Sequence, residues 1–365
     1  MRSAISCWIF RLLLVAVALS FMPNFQGSAF GQSPDLPPRS PRNLPVSPSA
    51  DQQAPASDQP APNSTPQAPE PGTQPSAEPN SSNDNSMFVF KKQVEEVVLH
   101  ASVVDDQFRL VPSLDKSAFT VFENGTAQPV TSFRREDVPV SMGILIDNSG
   151  SMRDKREAVN DSVLNLIRAS NPQDEIFIVN FGQNYYLDQD FTSDVNLLEA
   201  ALHQVSAAGS TALYDAIVAS AVHLKGSAHL EKKVLLVITD GQDNMSQQTL
   251  QEASRKLQQM NGPTLYAIGL TGGGMQTAGR EALDRLAQGT GGVAYFPGSI
   301  NEVENITRTV AHDIRSQYLI AYKPKNQNVK PEFQSVKVEA HAPGYPRLIV
   351  RTTSGYYPPA AGTAR

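Results

Sequence analysis

Between residues 138 and 316, short apolar runs alternate with stretches that have the apolar spacing of amphipathic helices. The runs "MGILI", "EIFIVNF", "VLLVIT" and "TLYAIG" contain few polar side chains, so each run is apolar on both of its faces. Strands of this kind occur in parallel sheets that helices cover on both sides. The alternation therefore predicts an α/β fold, in which a central, mainly parallel sheet has helices on both faces.

The stretches between the runs are where we expect the helices. "REAVNDSVLNLIRAS" and "ALYDAIVASAVHLK" repeat apolar residues at helical spacing, and "REALDRLAQGTGG" and "NEVENITRTVAHDIRS" extend the series. In "TLQEASRKLQQM" the same spacing predicts that Leu250, Ala253, Leu257 and Met260 face inward. A helix is thus expected after nearly every strand, as the α/β fold requires.

Two β-rich pieces flank this unit, at residues 87–137 and 317–358. They contain strand-like runs such as "EEVVLHASVV", "AFTVFENGTAQPVTSF", "QYLIAYKP" and "RLIVRTTSGYY". The Asn-Gly pair in "FENGTAQPV" is a strong signal for a tight hairpin. The two pieces either pair into one β-sandwich or form two separate appendages. Residues 359–365 are predicted to be a disordered tail.

The N-terminal segment, residues 1–31, has the pattern of a secretory signal peptide. Arg2 and Arg11 precede the apolar run "LLLVAVALSFM", and "AFG" before Gln32 suits cleavage. An uncleaved membrane anchor is the alternative, but the run is about half of the roughly 20 residues that a spanning helix needs. Cys7, the chain's single cysteine, lies in this segment, so the exported chain has no disulfide. We expect a secreted or periplasmic protein.

Residues 32–86 differ sharply in composition from the rest of the chain. Fourteen of the 27 prolines lie here among Ser, Gln, Ala and Asn, and no aromatic residue is present. Such a segment buries too little apolar surface to offset the entropy lost on ordering. It is predicted to be a disordered linker with polyproline character.

Composition also makes two classes of partner poor candidates. The formal charge is −6 and no strongly basic patch stands out, which disfavours nucleic acid and anionic membrane surfaces.

The glycine-rich stretch "GLTGGGMQTAG" does not have the dinucleotide-binding spacing, so no small-molecule cofactor is indicated. A membrane would be contacted only through an uncleaved signal anchor.

Three of the predicted loops carry oxygen ligands. Asp147, Ser149 and Ser151 follow the first strand, Thr211 precedes a helix in "GSTALYD", and Asp240 ends the strand "LLVITD". In an open α/β sheet, the loops at the carboxyl ends of the strands converge on the ligand site. Each piece alone is more often a turn or a helix cap. Together and in this order they favour one site.

The chemistry of this set suits a hard divalent cation. Mg²⁺ prefers six oxygen ligands and usually keeps several waters, and Mn²⁺ or Ca²⁺ would also accept oxygen donors. Three hydroxyls leave the ion poorly neutralised, and two carboxylates held behind waters would balance part of its charge. A remaining open position would attract an Asp or Glu carboxylate from a protein partner.

Together the three loops resemble those of a von Willebrand factor type A domain. The stretches are "DNSGSM", "GSTALYDAI" and "LLVITDGQDN". The resemblance covers residues 138–316 and implies a Rossmann-like fold with Mg²⁺ in a metal-ion-dependent adhesion site (MIDAS). It implies that Ser149, Ser151 and Thr211 bind the ion directly, while Asp147 and Asp240 act largely through water. The flanks more loosely resemble a group of bacterial secreted proteins with this domain.

The main functional hypothesis is an exported binding or adhesion protein that recognises a protein partner through this site. A structural or assembly subunit of an envelope complex is the alternative. A metal-dependent hydrolase is disfavoured, because no histidine lies in the three loops to act as a general base. We therefore expect no enzymatic activity.

Asp215, four residues after Thr211, either supports the site or makes a local cap or pair.

Overall fold

The structure is a computed structural model, and it describes residues 35–38, 96–135, 137–203, 207–270, 276–325 and 332–359. The predicted signal peptide and most of the predicted linker and tail lie outside these residues. Within the described ranges, no helix is both long and apolar enough to cross a membrane.

The described residues form fourteen strands and six α-helices. The strands are β1 Val97–Val104, β2 Phe119–Glu123, β3 Thr126–Gln128, β4 Val130–Arg134, β5 Val140–Asp147, β6 Glu175–Phe181, β7 Tyr185–Thr192, β8 Lys232–Thr239, β9 Thr264–Gly269, β10 Ala294–Tyr295, β11 Tyr318–Tyr322, β12 Gln334–Ala340, β13 Ile349–Arg351 and β14 Gly355–Tyr356. The helices are α1 Arg156–Arg168, α2 Val195–His203, α3 Leu213–Ser227, α4 Leu250–Leu257, α5 Thr277–Thr290 and α6 Val303–Arg315.

A six-stranded sheet forms the centre of the α/β unit. Its strand order is β10-β9-β8-β5-β6-β7, and every neighbouring pair is parallel except β6 and β7. One core lies between the sheet and α1, α2 and α6, and a second lies on the opposite face beneath α3, α4 and α5. All eight residues of β5 are buried, as expected for a central strand covered on both faces. The predicted α/β architecture is confirmed.

Two parts of this unit differ from the sequence prediction. The antiparallel edge strand β7 and helix α2 had no counterpart in the predicted pattern, because β7 is half-exposed and carries acidic residues among its apolar ones. Helix α4 ends at Leu257, so Met260 is not on its inner face. The chain turns there, with Asn261 at a positive φ of 57°, and Met260 packs on the core of the β-rich flanks instead.

The strands of the two flanks pair with each other in both antiparallel sheets. The orders are β13-β1-β11-β4 and β14-β12-β2-β3, so each sheet takes strands from both ends of the chain. One apolar core, which includes Leu99, Val121, Ile320 and Val338, lies between the sheets. The flanks therefore form one β-sandwich, into which the α/β unit is inserted. The Asn124-Gly125 pair makes the expected hairpin between β2 and β3, with φ of 48° and 77°.

Buried polar contacts connect helix α6 to its surroundings. Asp313 accepts hydrogen bonds from Tyr266 of β9 at 2.7 Å and from Arg351 of the sandwich at 2.9 Å. Lys232, at the start of β8, donates to the carbonyl oxygen of Ile314. Burial lowers the pKa of the Lys232 ammonium to about 8. The end of α6 is thus held by both the central sheet and the sandwich.

Four residues of the segment predicted as a linker lie against the edge of the central sheet. Leu187 of β7 donates its backbone N–H to the carbonyl oxygen of Pro37 at 3.0 Å, and Pro38 forms a parallel bridge with Leu187. Leu36 is 9% exposed and belongs to the same apolar core as α3. This short stretch packs because β7 offers an open edge and a partly covered apolar surface.

Candidate functional site

The candidate site lies where the strand order of the central sheet reverses. From β5 the chain continues to β6 on one side and later returns to β8 on the other side. Asp147 is the last residue of β5, and Asp240 directly follows β8. The crevice at such a reversal is the usual ligand position in open α/β sheets, because loops from neighbouring strands separate there.

The Asp147 carboxylate fixes the shape of the first loop. Its Oδ1 accepts the backbone N–H of Ser149 at 2.8 Å, and its Oδ2 accepts the hydroxyl of Thr239 at 2.5 Å. The side chain is fully buried, and this burial raises the pKa of the carboxyl group while the hydrogen bonds oppose the rise. Asp147 therefore holds the first loop in place through both of its carboxylate oxygens.

A chain of polar contacts connects the first loop with the loop after β8. The hydroxyl oxygens of Ser149 and Ser151 are 3.2 Å apart, and Ser151 donates to Oδ1 of Asp240 at 2.7 Å. Ser149 and Asp240 are buried, whereas Ser151 is exposed. Three of the five predicted site residues are thus in direct contact, with one of them open to solvent.

Gly241 brings the remaining two predicted residues to the same place. A Cβ atom at Gly241 would lie 3.2 Å from the Thr211 hydroxyl oxygen and 3.7 Å from Oδ2 of Asp147. Since the glycine has no such atom, both oxygens can lie close to the backbone of the residue that follows Asp240. Thr211 is buried, and its backbone N–H is held by Oδ1 of Asn244 at 2.9 Å. The structure therefore gathers all five predicted residues at one location.

Lys155 is a member of the site that the sequence reasoning missed. Its ammonium pairs with Oδ2 of Asp240 and donates to the Ser151 carbonyl oxygen at 3.4 Å. The neighbouring guanidinium of Arg156 donates to the Asp147 carbonyl oxygen at 3.3 Å. Lys155 lies four residues after Ser151, directly before helix α1, a position that carries no specific signal in the sequence.

Two further acidic side chains near the site, Asp215 of α3 and Asp243 of the loop after β8, bind backbone N–H groups. Asp215 accepts the N–H groups of Gln247 and Gln248, both at 2.9 Å. Asp243 accepts the N–H of Leu213 at 2.8 Å and so caps helix α3. Both residues fasten the loop after β8 to helix α3. Asp215 thus contacts the loop that carries Asp240, across 32 and 33 residues of sequence, and its supporting role in the site stays a prediction.

The donor set fits a hard divalent cation. It consists of three hydroxyls and two carboxylates, and an ammonium already lies against one of the carboxylates, so positive charge is accepted there. In the described ranges, no group of three or more His, Cys, Asp or Glu side chains is arranged to hold a metal. The candidate site has three hydroxyls and only two carboxylates, so it contains fewer than three side chains of these types.

Comparisons with known proteins give a family match for part of the chain. Residues 142–242 match the family model described as the von Willebrand factor type A domain. No curated protein matches the chain.

Solved structures that resemble the chain share little sequence with it. Proximal thread matrix protein 1 from the mussel byssus, with a zinc-occupied MIDAS motif, is 16% identical over 53% of this chain and 50% of its own, with a TM-score of 0.44. The chain thus spans about half of that protein. A von Willebrand factor type A protein from Catenulispora acidiphila is 13% identical over 74% and 75%, with a TM-score of 0.43.

A third structure is the vWF domain of the type V pili tip protein Mfa5 from Porphyromonas gingivalis. It is 12% identical over 49% of this chain and 97% of its own, with a TM-score of 0.39. The matched residues 142–242 contain most of β5, all of β6 and β8, and all five candidate site residues. The α/β unit of this chain is a von Willebrand factor type A domain.

Proposed function

We propose that this protein is an exported binding module that recognises a protein partner through a divalent cation at the candidate site. The observation that carries the proposal is the contact chain from Ser149 through Ser151 to Asp240, at 3.2 and 2.7 Å. The Thr211 hydroxyl and the Asp147 carboxylate both lie close to Gly241, the residue after Asp240. Oxygen donors from three separate loops meet at one partly solvent-exposed point, as a metal-dependent recognition surface requires.

Mg²⁺ is the ion that we assign, with Mn²⁺ and Ca²⁺ as further candidates. Ser149, Ser151 and Thr211 would hold the ion directly, and Asp147 and Asp240 would orient its waters and neutralise part of its charge. When bound, the ion supplies a positive centre for an Asp or Glu carboxylate of the partner. Because the two buried carboxylates are already fixed by the protein, they leave room for an anionic ligand from outside.

We assign no catalytic role to this site. The three loops contain no histidine, and the two carboxylates are engaged by Ser149, Thr239, Ser151 and Lys155. A hydrolase would need a general base within hydrogen-bonding reach of a water or a nucleophile. An assembly subunit of an envelope complex would use the same surface in a permanent contact. The experiment below separates permanent from exchangeable binding.

Export is the second part of the proposal, and its support is the N-terminal sequence pattern. Mass spectrometry of the protein from the periplasmic and extracellular fractions tests it, with an N-terminus at Gln32 as the expected result. A chain that keeps residues 1–31 in the membrane fraction would show that the segment is an anchor instead.

The direct test of partner recognition is a capture experiment from an envelope extract. The exported chain is immobilised in three forms, namely native, Asp240→Ala and Lys225→Met. Lys225 is an exposed lysine that contacts Gln259 and lies outside the site, so it is the control. We expect a protein that the native and Lys225→Met chains retain in Mg²⁺ and release on chelation.

Two outcomes of the capture experiment would count against exchangeable, metal-dependent binding. A protein that is retained equally in chelator and by Asp240→Ala would contradict the proposal. Retention at fixed stoichiometry that survives prolonged exchange, yet still requires Mg²⁺, would favour the assembly subunit. For a captured partner, Asp→Asn and Glu→Gln changes on its surface should identify one carboxylate whose loss abolishes binding.

A further inference from the structure

The outer edge of β7 is the place where the central sheet meets a second segment of the chain. β7 is the last strand in the sheet order and pairs with β6 on its inner side only. On its outer side, the Leu187 N–H donates to the Pro37 carbonyl oxygen, and Pro38 bridges Leu187 in parallel. Asp35–Pro38 therefore extends the sheet by a short added strand.

Leu36 anchors this added strand in the apolar core. It is 9% exposed, although prolines and polar residues surround it in the sequence. It belongs to the core that contains Phe177 and Val179 of β6, and the partly buried Tyr185 and Leu187 pack against the same core. Backbone pairing combined with one buried side chain is how extended peptides bind to exposed sheet edges.

The two prolines explain why the added strand does not propagate the sheet. Pro37 and Pro38 have no backbone N–H, so this stretch cannot offer a full set of donors to a further strand. Proline also fixes φ, which lowers the entropy that an extended peptide loses on binding. The sequence Asp-Leu-Pro-Pro thus suits the outermost position of a sheet and covers an edge that would otherwise pair with other chains.

We propose that the outer edge of β7 is a binding site for an extended Leu-Pro peptide, and that residues 35–38 of the same chain are its occupant. The connection to β1 runs through residues 39–95, so the occupant is tethered and its effective concentration is high. β7 begins three residues after Gly182, whose carbonyl oxygen accepts the Ala212 N–H at 2.7 Å in the loop that carries Thr211. The contact therefore fastens residues 35–38 along the strand that begins near this loop. This inference does not rest on the metal.

Hydrogen exchange in the full exported chain tests the contact directly. Leu36→Asp places a charge in the apolar core and should release residues 35–38. We expect exchange of the Leu187 amide to accelerate at least about tenfold, whereas β6 amides, which monitor the fold, stay protected. Leu36→Met keeps the volume and should leave the Leu187 amide as in the native chain. An unchanged Leu187 amide in Leu36→Asp would overturn the proposal.

Peptide binding tests whether the edge is a true site. The probe is a fluorescent peptide with the sequence of residues 33–40, compared with the same peptide carrying Leu36→Asp. We expect saturable binding to the Leu36→Asp chain and at least about fivefold weaker apparent binding to the native chain, because the tethered segment competes. No binding to the Leu36→Asp chain, or equal binding of both peptides, would show that the edge is not a Leu-Pro site.

Discussion

Replacing Lys155 by Met should strengthen the binding of a divalent cation. In the structure, the Lys155 ammonium contacts the Asp240 carboxylate, whose side chain is fully buried. A cation held by Ser151 and its neighbours must therefore share this carboxylate with a positive charge. Met keeps much of the length of the lysine stem and removes the charge, so the variant isolates the electrostatic contribution.

The size of the effect follows from the geometry. A divalent cation and an ammonium about 5 Å apart repel each other by about 7 kcal/mol at an effective dielectric constant of about 20. The Lys155 side chain is 18% exposed and flexible, so the ammonium can move toward solvent and relieve most of the repulsion. We expect a gain of about 1–2 kcal/mol, which corresponds to a Kd for Mg²⁺ about 5- to 30-fold lower.

The metal-free protein should respond in the opposite direction. Without Lys155, the buried Asp240 carboxylate loses its ion-pair partner, and we expect a loss of about 1–3 kcal/mol in the free energy of unfolding. Mg²⁺ should compensate this loss, so the rise in Tm on adding Mg²⁺ is larger for Lys155→Met than for the native chain.

Isothermal titration calorimetry at constant ionic strength measures the affinity, and thermal unfolding with and without Mg²⁺ measures the stability. Lys155→Arg keeps the positive charge and should bind Mg²⁺ as the native chain does. Lys225→Met removes a charge far from the site and controls for the change in net charge. A Lys155→Met Kd equal to or higher than the native value would refute this reasoning.

Two further predictions concern the body of the protein. Burial lowers the pKa of Lys232 from 10.5 to about 8, so between these pH values the unfolded chain binds more protons than the folded chain. The buried ammonium therefore destabilises the folded state, fully below pH 8 and less as the pH rises toward 10.5. We compare the free energy of unfolding of Lys232→Met with that of the native chain by urea titration. The variant's advantage over the native chain should be up to about 3 kcal/mol larger at pH 7 than at pH 10.5. An advantage that is the same at both pH values would contradict this prediction. In the sandwich, Tyr322 donates to the buried Glu123 carboxylate at 2.6 Å, so Tyr322→Phe should lower the free energy of unfolding by about 1–3 kcal/mol. Tyr345→Phe, at an exposed position, is the control and should cost less than about 0.5 kcal/mol in the same urea titration.

The parts of the fold that the sequence predicted are those with a strong local signal. The apolar runs of β5, β8 and β9 leave little choice but a buried parallel sheet, and the Asn124-Gly125 pair requires a tight hairpin. β7 was missed because its half-exposed side chains include Asp188 and Asp190, which weaken the apolar pattern. The pairing of the two flanks was left open because residues such as Val121 and Val338 are far apart in the sequence.

In the candidate site too, residues on short stretches of sequence were predicted, whereas the specific contacts between distant residues were not. Asp147, Ser149 and Ser151 lie on one short stretch, which indicated oxygen ligands only in combination with Thr211 and Asp240. Asp215 was left between a role in the site and a local contact, and only the tertiary structure shows it bound to the loop after β8. Lys155 was missed because a single lysine at a helix start carries no specific signal. A lysine becomes informative only when its partner is known.

Direct measurement of cation binding tests the central claim most directly. The exported chain is titrated with Mn²⁺ and followed by electron paramagnetic resonance, with Mg²⁺ as competitor. Three forms are compared, namely native, Ser151→Ala and Ser162→Ala. Ser162 donates to the Ala158 carbonyl oxygen within α1 and is the matched control. We predict one site that Mg²⁺ competes for in the native and Ser162→Ala chains and that is at least tenfold weaker in Ser151→Ala. Equal Mn²⁺ binding by all three forms, or none by the native chain, would contradict the account.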